Sequence, residues 1–208
     1  MPAGGYPAVV QLHGGPESQT RPQFSPLTQF LVKSGYAVIA PNIRGSNGYG
    51  KKYLNLDNQE KRMDTIKDIK YVSLAASKFA SVNQQRLAVM GGSYGGYATL
   101  MSAVTFPDLW KAAVDIVGMS SLVTFLEHTS AYRRALREPK YGYLKTQRKM
   151  LEEFSPINHV EKTRCPVFII QGKNDPRVPV SEAENMYKRL QEVGKTHKAV
   201  GNSKLLIS

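Results

Sequence analysis

Five short runs rich in Val, Ile and Ala recur along the chain: YPAVVQLH (6–13), YAVIAP (36–41), RLAVMG (86–91), KAAVDIVG (111–118) and PVFIIQG (166–172). Gly, Pro or Asn lies close to the end of each. Apolar runs of this length, bounded by turn formers, predict strands buried on both faces. The segments between them carry a helical period. Ile66, Ile69, Val72, Ala76 and Phe79 recur at three- or four-residue steps in 64–80, and Val180, Ala183, Met186, Tyr187, Leu190 and Val193 do so in 180–193. Ser181 followed by Glu184 resembles a capping box. Strand alternating with helix predicts an α/β fold, a mostly parallel sheet with helices on both faces. Such sheets place their sites at the C-terminal ends of the strands.

No repeat or low-complexity linker divides the 208 residues, which fit one domain, 1–208. With 41% hydrophobic and 21% charged residues, the chain is not of the disordered class. No apolar stretch approaches the ~20 residues needed to span a bilayer. The start, MPAGGYPAVVQLHGG, lacks the basic region and apolar core of a signal peptide. A cytoplasmic protein without a membrane partner is therefore expected. Cys165 has no second cysteine to pair with and reads as a small buried filler.

The net charge of +12 raises the question of an acidic partner. The densest basic stretch, 132–150, holds seven Lys/Arg and one Glu. No zinc-finger spacing, aromatic RNA-binding motif or basic zipper accompanies it, so it reads as a solvated helical surface and no nucleic acid is expected. No two histidines stand at ligand spacing, so neither a metal nor another cofactor is expected.

Residues 89–97 read VMGGSYGGY, and 91–95 fit G-x-S-x-G. A nucleophile on a sharp strand-to-helix turn needs a strained backbone, and small residues two before and two after let strand and helix approach. Ser93 would then stand clear of the sheet, with the N–H groups of the next helix favouring negative charge beside it. The competing readings are a plain tight turn and a phosphate loop. The turn lacks both G-x-G-x-x-G and a GK[ST] ending, which argues against nucleotide binding.

A second glycine turn, His13-Gly14-Gly15-Pro16, follows the first strand. An oxyanion hole needs two backbone N–H donors aimed at one point. Tyr94, after the nucleophile, would supply one, and Gly14 or Gly15 the other, with Gly15 preferred. His13 is expected to hold this loop by hydrogen bonds. In the loop after 166–172, Asp175 would orient a histidine and stabilise its charge. The alternative is that Asp175 only closes an Asx-turn with Pro176 and Arg177. Ser before Asp is the order found in α/β-hydrolases.

Together HGGPESQ, APNIRGSNGYG, MGGSYGGY and NDPRVP resemble the prolyl oligopeptidase family of serine peptidases, in the branch of acylaminoacyl-peptidases and dipeptidyl aminopeptidases. The resemblance covers residues 6 to about 194. It implies an α/β-hydrolase domain that cleaves short peptides through an acyl-enzyme. It implies Ser93 as nucleophile, Asp175 as triad acid, and the N–H groups of Gly15 and Tyr94 as oxyanion hole. Arg44 and Tyr49 match positions near the floor of the site, although Arg44 could simply pair with a carboxylate.

Family members carry an N-terminal β-propeller, whereas here Met1 stands at the edge of the hydrolase domain and the early strands are absent. The resemblance also places the triad histidine in an EGH-like turn near position 207, and that residue is Ile207. HKAVGNSKLLIS stands in place of the expected strand and histidine loop, so 198–208 reads as an atypical tail. The fold is thus expected to be incomplete at both ends, the copy cut short or frame-shifted before the histidine. His197, 22 residues after Asp175, is the alternative base; His128 and His159 read as surface or capping residues.

A serine needs a base to take its proton. The expected function is accordingly a serine-type peptidase impaired by the missing histidine. A hydrolase-fold binding domain without turnover, an esterase and, last, a nucleic-acid binder are the alternatives. Surfaces left uncovered make self-association an expectation as well.

Overall fold

The computed structural model describes residues 2, 4–76, 78–79 and 81–208. Residues 77 and 80 of the expected helix 64–80, like Met1 and Ala3, lie outside them. Six parallel strands form one sheet: β1 (Tyr6–Leu12), β2 (Ala37–Ile39), β3 (Val82–Gly92), β4 (Ala112–Ile116), β5 (Val167–Gln171) and β6 (Lys204–Ile207), in the order β2-β1-β3-β4-β5-β6. All five expected strands form.

Within the atypical segment 198–208, Lys204–Ile207 forms an edge strand in register with β5, Phe168 opposite Lys204 and Gln171 opposite Ile207. Two apolar β-formers, Leu206 and Ile207, supply the strand character that the missing family motif concealed. Ser203 anchors its start, accepting from the Val167 N–H at 3.0 Å and donating to the Val200 carbonyl at 2.6 Å.

Nine α-helices connect the strands among the described residues: α1 (Pro26–Lys33), α2 (Gly50–Leu54), α3 (Arg62–Ala76), α4 (Tyr94–Thr105), α5 (Leu122–His128), α6 (Ala131–Tyr141), α7 (Leu144–Glu153), α8 (Val180–Gly194) and α9 (Lys198–Gly201). Right-handed crossovers decide where they lie. The step from β1 to β2 runs one way across the sheet and carries α1. Every later step runs the other way, so α3, α4 and α8 fall on the opposite face. There Val10, Val89, Ala113, Val167 and Ile169 are buried against Ile69, Leu100 and Met186 in one core.

Two helix expectations need correction. α3 ends at Ala76, and Phe79, expected on its apolar stripe, is 63% exposed. The Ser181–Glu184 capping box does not form: α8 begins after Pro179, which offers no side-chain acceptor. The acid that turns inward is Glu182, buried at 2% exposure.

The basic stretch is helical, in α6 and α7, but not wholly solvated. Lys140 is buried, its Nζ 2.6 Å from Asp57 Oδ1 and 2.7 Å from the Leu54 carbonyl. Cys165 is buried as expected, and burial pushes its thiol up to about 11, away from reactivity. No helix is long and apolar enough to cross a membrane among the described residues. Nor do those residues contain a group of three or more His, Cys, Asp and Glu side chains that could hold a metal ion.

Candidate active site

β1 and β3 are neighbours, yet β1 leads out to β2 on one side and β3 to β4 on the other. This switch point opens a crevice at the C-terminal ends of the strands. The two glycine turns meet in it. Ser93 caps α4 with φ 56° and ψ −117°, a left-handed conformation that costs a non-glycine residue about 1–3 kcal/mol. Hydrogen bonds hold it there. The Ser93 N–H donates to the Ile116 carbonyl at 2.9 Å, and the Tyr97 N–H to the Ser93 carbonyl at 3.1 Å. A Cβ on Gly91 would collide with the Gly95 backbone, and one on Gly95 with the Leu12 carbonyl. Glycine on both sides of the serine is therefore a steric requirement of strand–helix contact. Ser93 itself is exposed, and its Oγ forms no hydrogen bond among the described residues.

The loop after β1 lies against this serine. A Cβ on Gly14 would stand 3.1 Å from the Gly92 carbonyl and 3.5 Å from Ser93 Cβ. Gly15 follows with φ 120°. No hydrogen bond among the described residues uses the N–H of Gly14 or Gly15. Tyr94, the first residue of α4, has no intrahelical acceptor for its own N–H. Unspent amides thus flank Ser93 from two loops. Gly14 is set directly against the serine. His13 holds the loop: Nδ1 donates to the Gly14 carbonyl at 2.7 Å, and Nε2 lies 2.7 Å from Ser46 Oγ.

Asp175 follows β5, two strands from β3, a lateral gap of roughly 9–10 Å. Its Oδ1 accepts from the N–H groups of Arg177 at 2.7 Å and Val178 at 3.0 Å, so the Asx-turn is present. The chain end reaches the same edge, since the Lys173 N–H donates to the Ser208 carbonyl at 2.8 Å.

No histidine fills the gap. His197 precedes α9 and β6, so it lies at the N-terminal edge of the sheet, the opposite end from Ser93. α8 has carried the chain the length of the sheet away from Asp175. His128 is exposed at the end of α5, and His159 Nε2 meets the Glu153 carbonyl at 2.7 Å. Arg44 pairs with a carboxylate, its Nε 2.7 Å and Nη2 2.6 Å from Asp68. The Tyr49 hydroxyl accepts from Asn42 at 2.8 Å and remains exposed.

Beneath the turn lies a buried polar layer that the motifs did not reveal. Arg62, 0% exposed, donates from Nη1 to the Tyr94 hydroxyl at 2.8 Å and from Nη2 to the Lys140 carbonyl at 2.6 Å. Its Nη1 is 3.4 Å from Asp57, and its guanidinium stacks 4.6 Å from the Tyr141 ring centroid. A signal for it exists in the sequence: Arg62 stands four and seven residues before Ile66 and Ile69, on the buried stripe of α3. Asp115 of β4 packs against Gly96 and Gly118, and burial pushes its carboxyl up to about 7. The Gly118 amide opposes that rise and the charge of Glu182 adds to it. Glu182 gathers the N–H groups of Ser120 (2.9 Å) and Ser121 (2.8 Å) and the hydroxyls of Ser120 and Thr124.

The same architecture recurs in known proteins. The chain is 37% identical over 190 residues to dipeptidyl aminopeptidase BIII of Pseudoxanthomonas mexicana, covering 89% of this chain and 28% of that protein. It is 35% identical over 199 residues to dipeptidyl peptidase family member 6 of Caenorhabditis elegans, covering 92% of this chain and 27% of that one. It thus spans less than a third of the length of these curated relatives. A puromycin-hydrolyzing peptidase of Mycobacterium tuberculosis superposes with a TM-score of 0.88 at 28% identity, over 98% of this chain and 30% of that chain. Acylaminoacyl peptidase of Pyrococcus horikoshii shares the fold, with a TM-score of 0.86 at 23% identity over 98% of this chain and 32% of its own. The prolyl oligopeptidase family matches residues 22–204, from before α1 into β6, and the chain belongs to that family of serine peptidases.

Proposed function

We propose that this chain is the hydrolase part of a serine-type peptidase acting on short peptides through an acyl-enzyme on Ser93. The observation that carries the reading is the strained Ser93 turn with Gly14 against it and the α4 N-terminus behind it. In this reading Ser93 Oγ attacks the scissile carbonyl, and the N–H groups of Tyr94 and of Gly15 or Gly14 take up the oxyanion. Asp175 is the triad acid, its Oδ1 locked by the Arg177 and Val178 amides so that the carboxylate is held for an imidazole. Family membership and the peptidase names of the relatives support the substrate class. One domain, 1–208, in the cytoplasm remains part of the proposal.

The four histidines favour a second reading for the chain as it stands: a hydrolase-fold binding domain with little turnover. None of them is hydrogen-bonded to Ser93 among the described residues, and a serine without a base keeps only the ~10³–10⁴-fold acceleration that oxyanion hole and binding provide. Residual hydrolysis belongs with esters, whose leaving groups need less protonation.

Labelling by a fluorophosphonate, mapped by mass spectrometry against Ser93→Ala, separates the two readings, with and without added imidazole to occupy the gap before Asp175. An adduct confined to Ser93 and accelerated by imidazole supports the peptidase reading. A folded protein that takes no adduct under either condition sinks it and leaves the binding domain.

A further inference from the structure

The amides that flank Ser93 belong to different segments. Gly14 and Gly15 follow β1, and Tyr94 begins α4. An oxyanion site works only when its donors converge on one point. The β1–β3 ladder does not fix that spacing by itself. Its last pair is Leu12 opposite Gly91, short of both Gly14 and Tyr94. Beyond the ladder, both loops lead to one carboxylate, Asp57, which is 0% exposed.

On the α4 side the connection runs through Arg62. Its Nη1 lies 3.4 Å from Asp57 Oδ2 and donates to the Tyr94 hydroxyl at 2.8 Å. Its Nη2 donates to the Lys140 carbonyl at 2.6 Å. A guanidinium is planar and always charged, so these contacts share one rigid fork.

On the β1 side the connection is double. Lys140 Nζ lies 2.6 Å from Asp57 Oδ1 and 3.5 Å from Glu17 Oε1, in the loop that carries Gly14 and Gly15. Asp57 also fills the space beside Gly45, where a Cβ would collide with the carboxylate. The next residue, Ser46, is buried with its Oγ 2.7 Å from His13 Nε2. Asn47 then donates its N–H to the Ser18 carbonyl at 2.9 Å. The β1 loop is thus strapped to the segment that Asp57 supports. Buried charge makes the junction specific. Separating Asp57 from either cation would leave a buried charge unpaired, so the cluster keeps one arrangement where apolar side chains could slide.

Resting on the reading of these amides as the oxyanion site, we propose that Asp57, Arg62 and Lys140 are its positioning residues. One buried charge cluster sets the Tyr94 amide and the Gly14 and Gly15 amides at a fixed spacing around Ser93.

The test uses the full chain, isotope-labelled for amide spectra, with one variant for each side. Tyr94→Phe removes one hydroxyl and cuts the link to Arg62. Lys140→Met removes the ammonium and keeps the carbonyl that Arg62 uses, and Lys140→Arg restores a cation. Ser102→Ala is the control, since it removes a buried hydrogen bond from Trp110 Nε1, 3.0 Å long, farther along α4. Circular dichroism confirms folding; should Lys140→Met not fold, Tyr94→Phe carries the test alone. Amide spectra read the donors directly, and fluorophosphonate labelling in added imidazole reads Ser93. The effects are expected to cross the crevice. Tyr94→Phe moves the Gly14 and Gly15 signals, Lys140→Met moves the Tyr94 signal, and each slows labelling at least five-fold. Lys140→Arg returns both readouts toward the wild type, and Ser102→Ala changes neither. Signals that stay in place across the crevice, or labelling that keeps its rate in the folded variants, overturn the proposal and leave the peptidase reading intact. So does a control that moves the same signals. If the signals cross over as expected while the wild type takes no adduct, the positioning stands and the peptidase reading alone fails.

Discussion

Arg62 Nη1 donates to the Tyr94 hydroxyl at 2.8 Å, tying the helix that precedes β3 to the residue that follows the candidate nucleophile. The guanidinium is fully buried and always charged, so its partners decide its effect. Replacing Arg62 with Met leaves Asp57, also 0% exposed, with Lys140 alone. Losing one partner of a buried pair costs about 3–5 kcal/mol. Tyr94→Phe removes only one bond and costs about 1–3 kcal/mol. Urea unfolding of the two variants is expected to rank them in that order; a neutral Arg62→Met would show that the layer is not a structural unit.

Glycines around Ser93 fall into two kinds. At Gly95 a Cβ would meet the Leu12 carbonyl of the packed sheet, so Gly95→Ala is expected to prevent stable folding. At Gly14 a Cβ would meet the Gly92 carbonyl at 3.1 Å, a contact that a loop can relieve by a few tenths of an ångström. Gly14→Ala should keep the melting temperature within a few degrees yet slow fluorophosphonate labelling of Ser93 at least ten-fold. Unchanged labelling in a folded Gly14→Ala protein would remove the β1 loop from the site.

Burial that raises the Asp115 carboxyl to about 7 has a sign for stability. The folded chain holds this proton where the unfolded chain has lost it, from about pH 4 to about pH 7. Its contribution is full below the unfolded value and is lost as pH rises through the folded one. A rise from the ordinary carboxylate range to about 7 corresponds to roughly 4 kcal/mol as an upper bound. Asp115→Asn, which keeps the shape and cannot ionise, should be flatter than the wild type over that window and relatively more stable above pH 7. Melting curves from pH 5 to pH 8 decide this; parallel curves for both proteins would mean that Asp115 is not buried neutral.

The legible parts of this chain are those in which a local pattern suffices. Five apolar runs became five strands, because short runs rich in Val, Ile and Ala bounded by turn formers carry the strand signal locally. The G-x-S-x-G turn was readable because its pattern stands in five consecutive residues, although Gly95 answers the distant Leu12 carbonyl. β6 was not, because Lys204–Ile207 matches no motif and becomes a strand only by pairing with β5. The Arg62–Asp57–Lys140 layer was hidden because its members lie 78 and 83 residues apart from end to end, as Arg62–Lys140 and Asp57–Lys140. Charge alone suggested that Lys140 was solvated. Glu182 was concealed by its neighbour: Ser181 and Glu184 have capping-box spacing, but the helix starts at Val180 and its inward acid holds the N-terminus of α5.

His197 offers the sharpest contrast between spacing in sequence and position in space. It follows Asp175 by 22 residues, close enough in sequence to suggest a substitute base. Between them α8 spans 15 residues, ~22 Å of helix at 1.5 Å per residue, and runs from the C-terminal edge of the sheet to the N-terminal edge. A proton cannot pass directly from Ser93 to a ring at that distance, since general-base transfer requires hydrogen-bond contact or one bridging water. His197→Ala is therefore expected to leave fluorophosphonate labelling and any ester hydrolysis within two-fold of the wild type, with the melting temperature little changed. Ser93→Ala, measured beside it, should abolish labelling. A ten-fold loss of labelling in folded His197→Ala would require the segment from Lys195 to Ser208 to leave its place beside β5 and return His197 to the crevice. Hydrogen exchange at Leu206, whose N–H faces β5 when β6 is paired, would then report that departure.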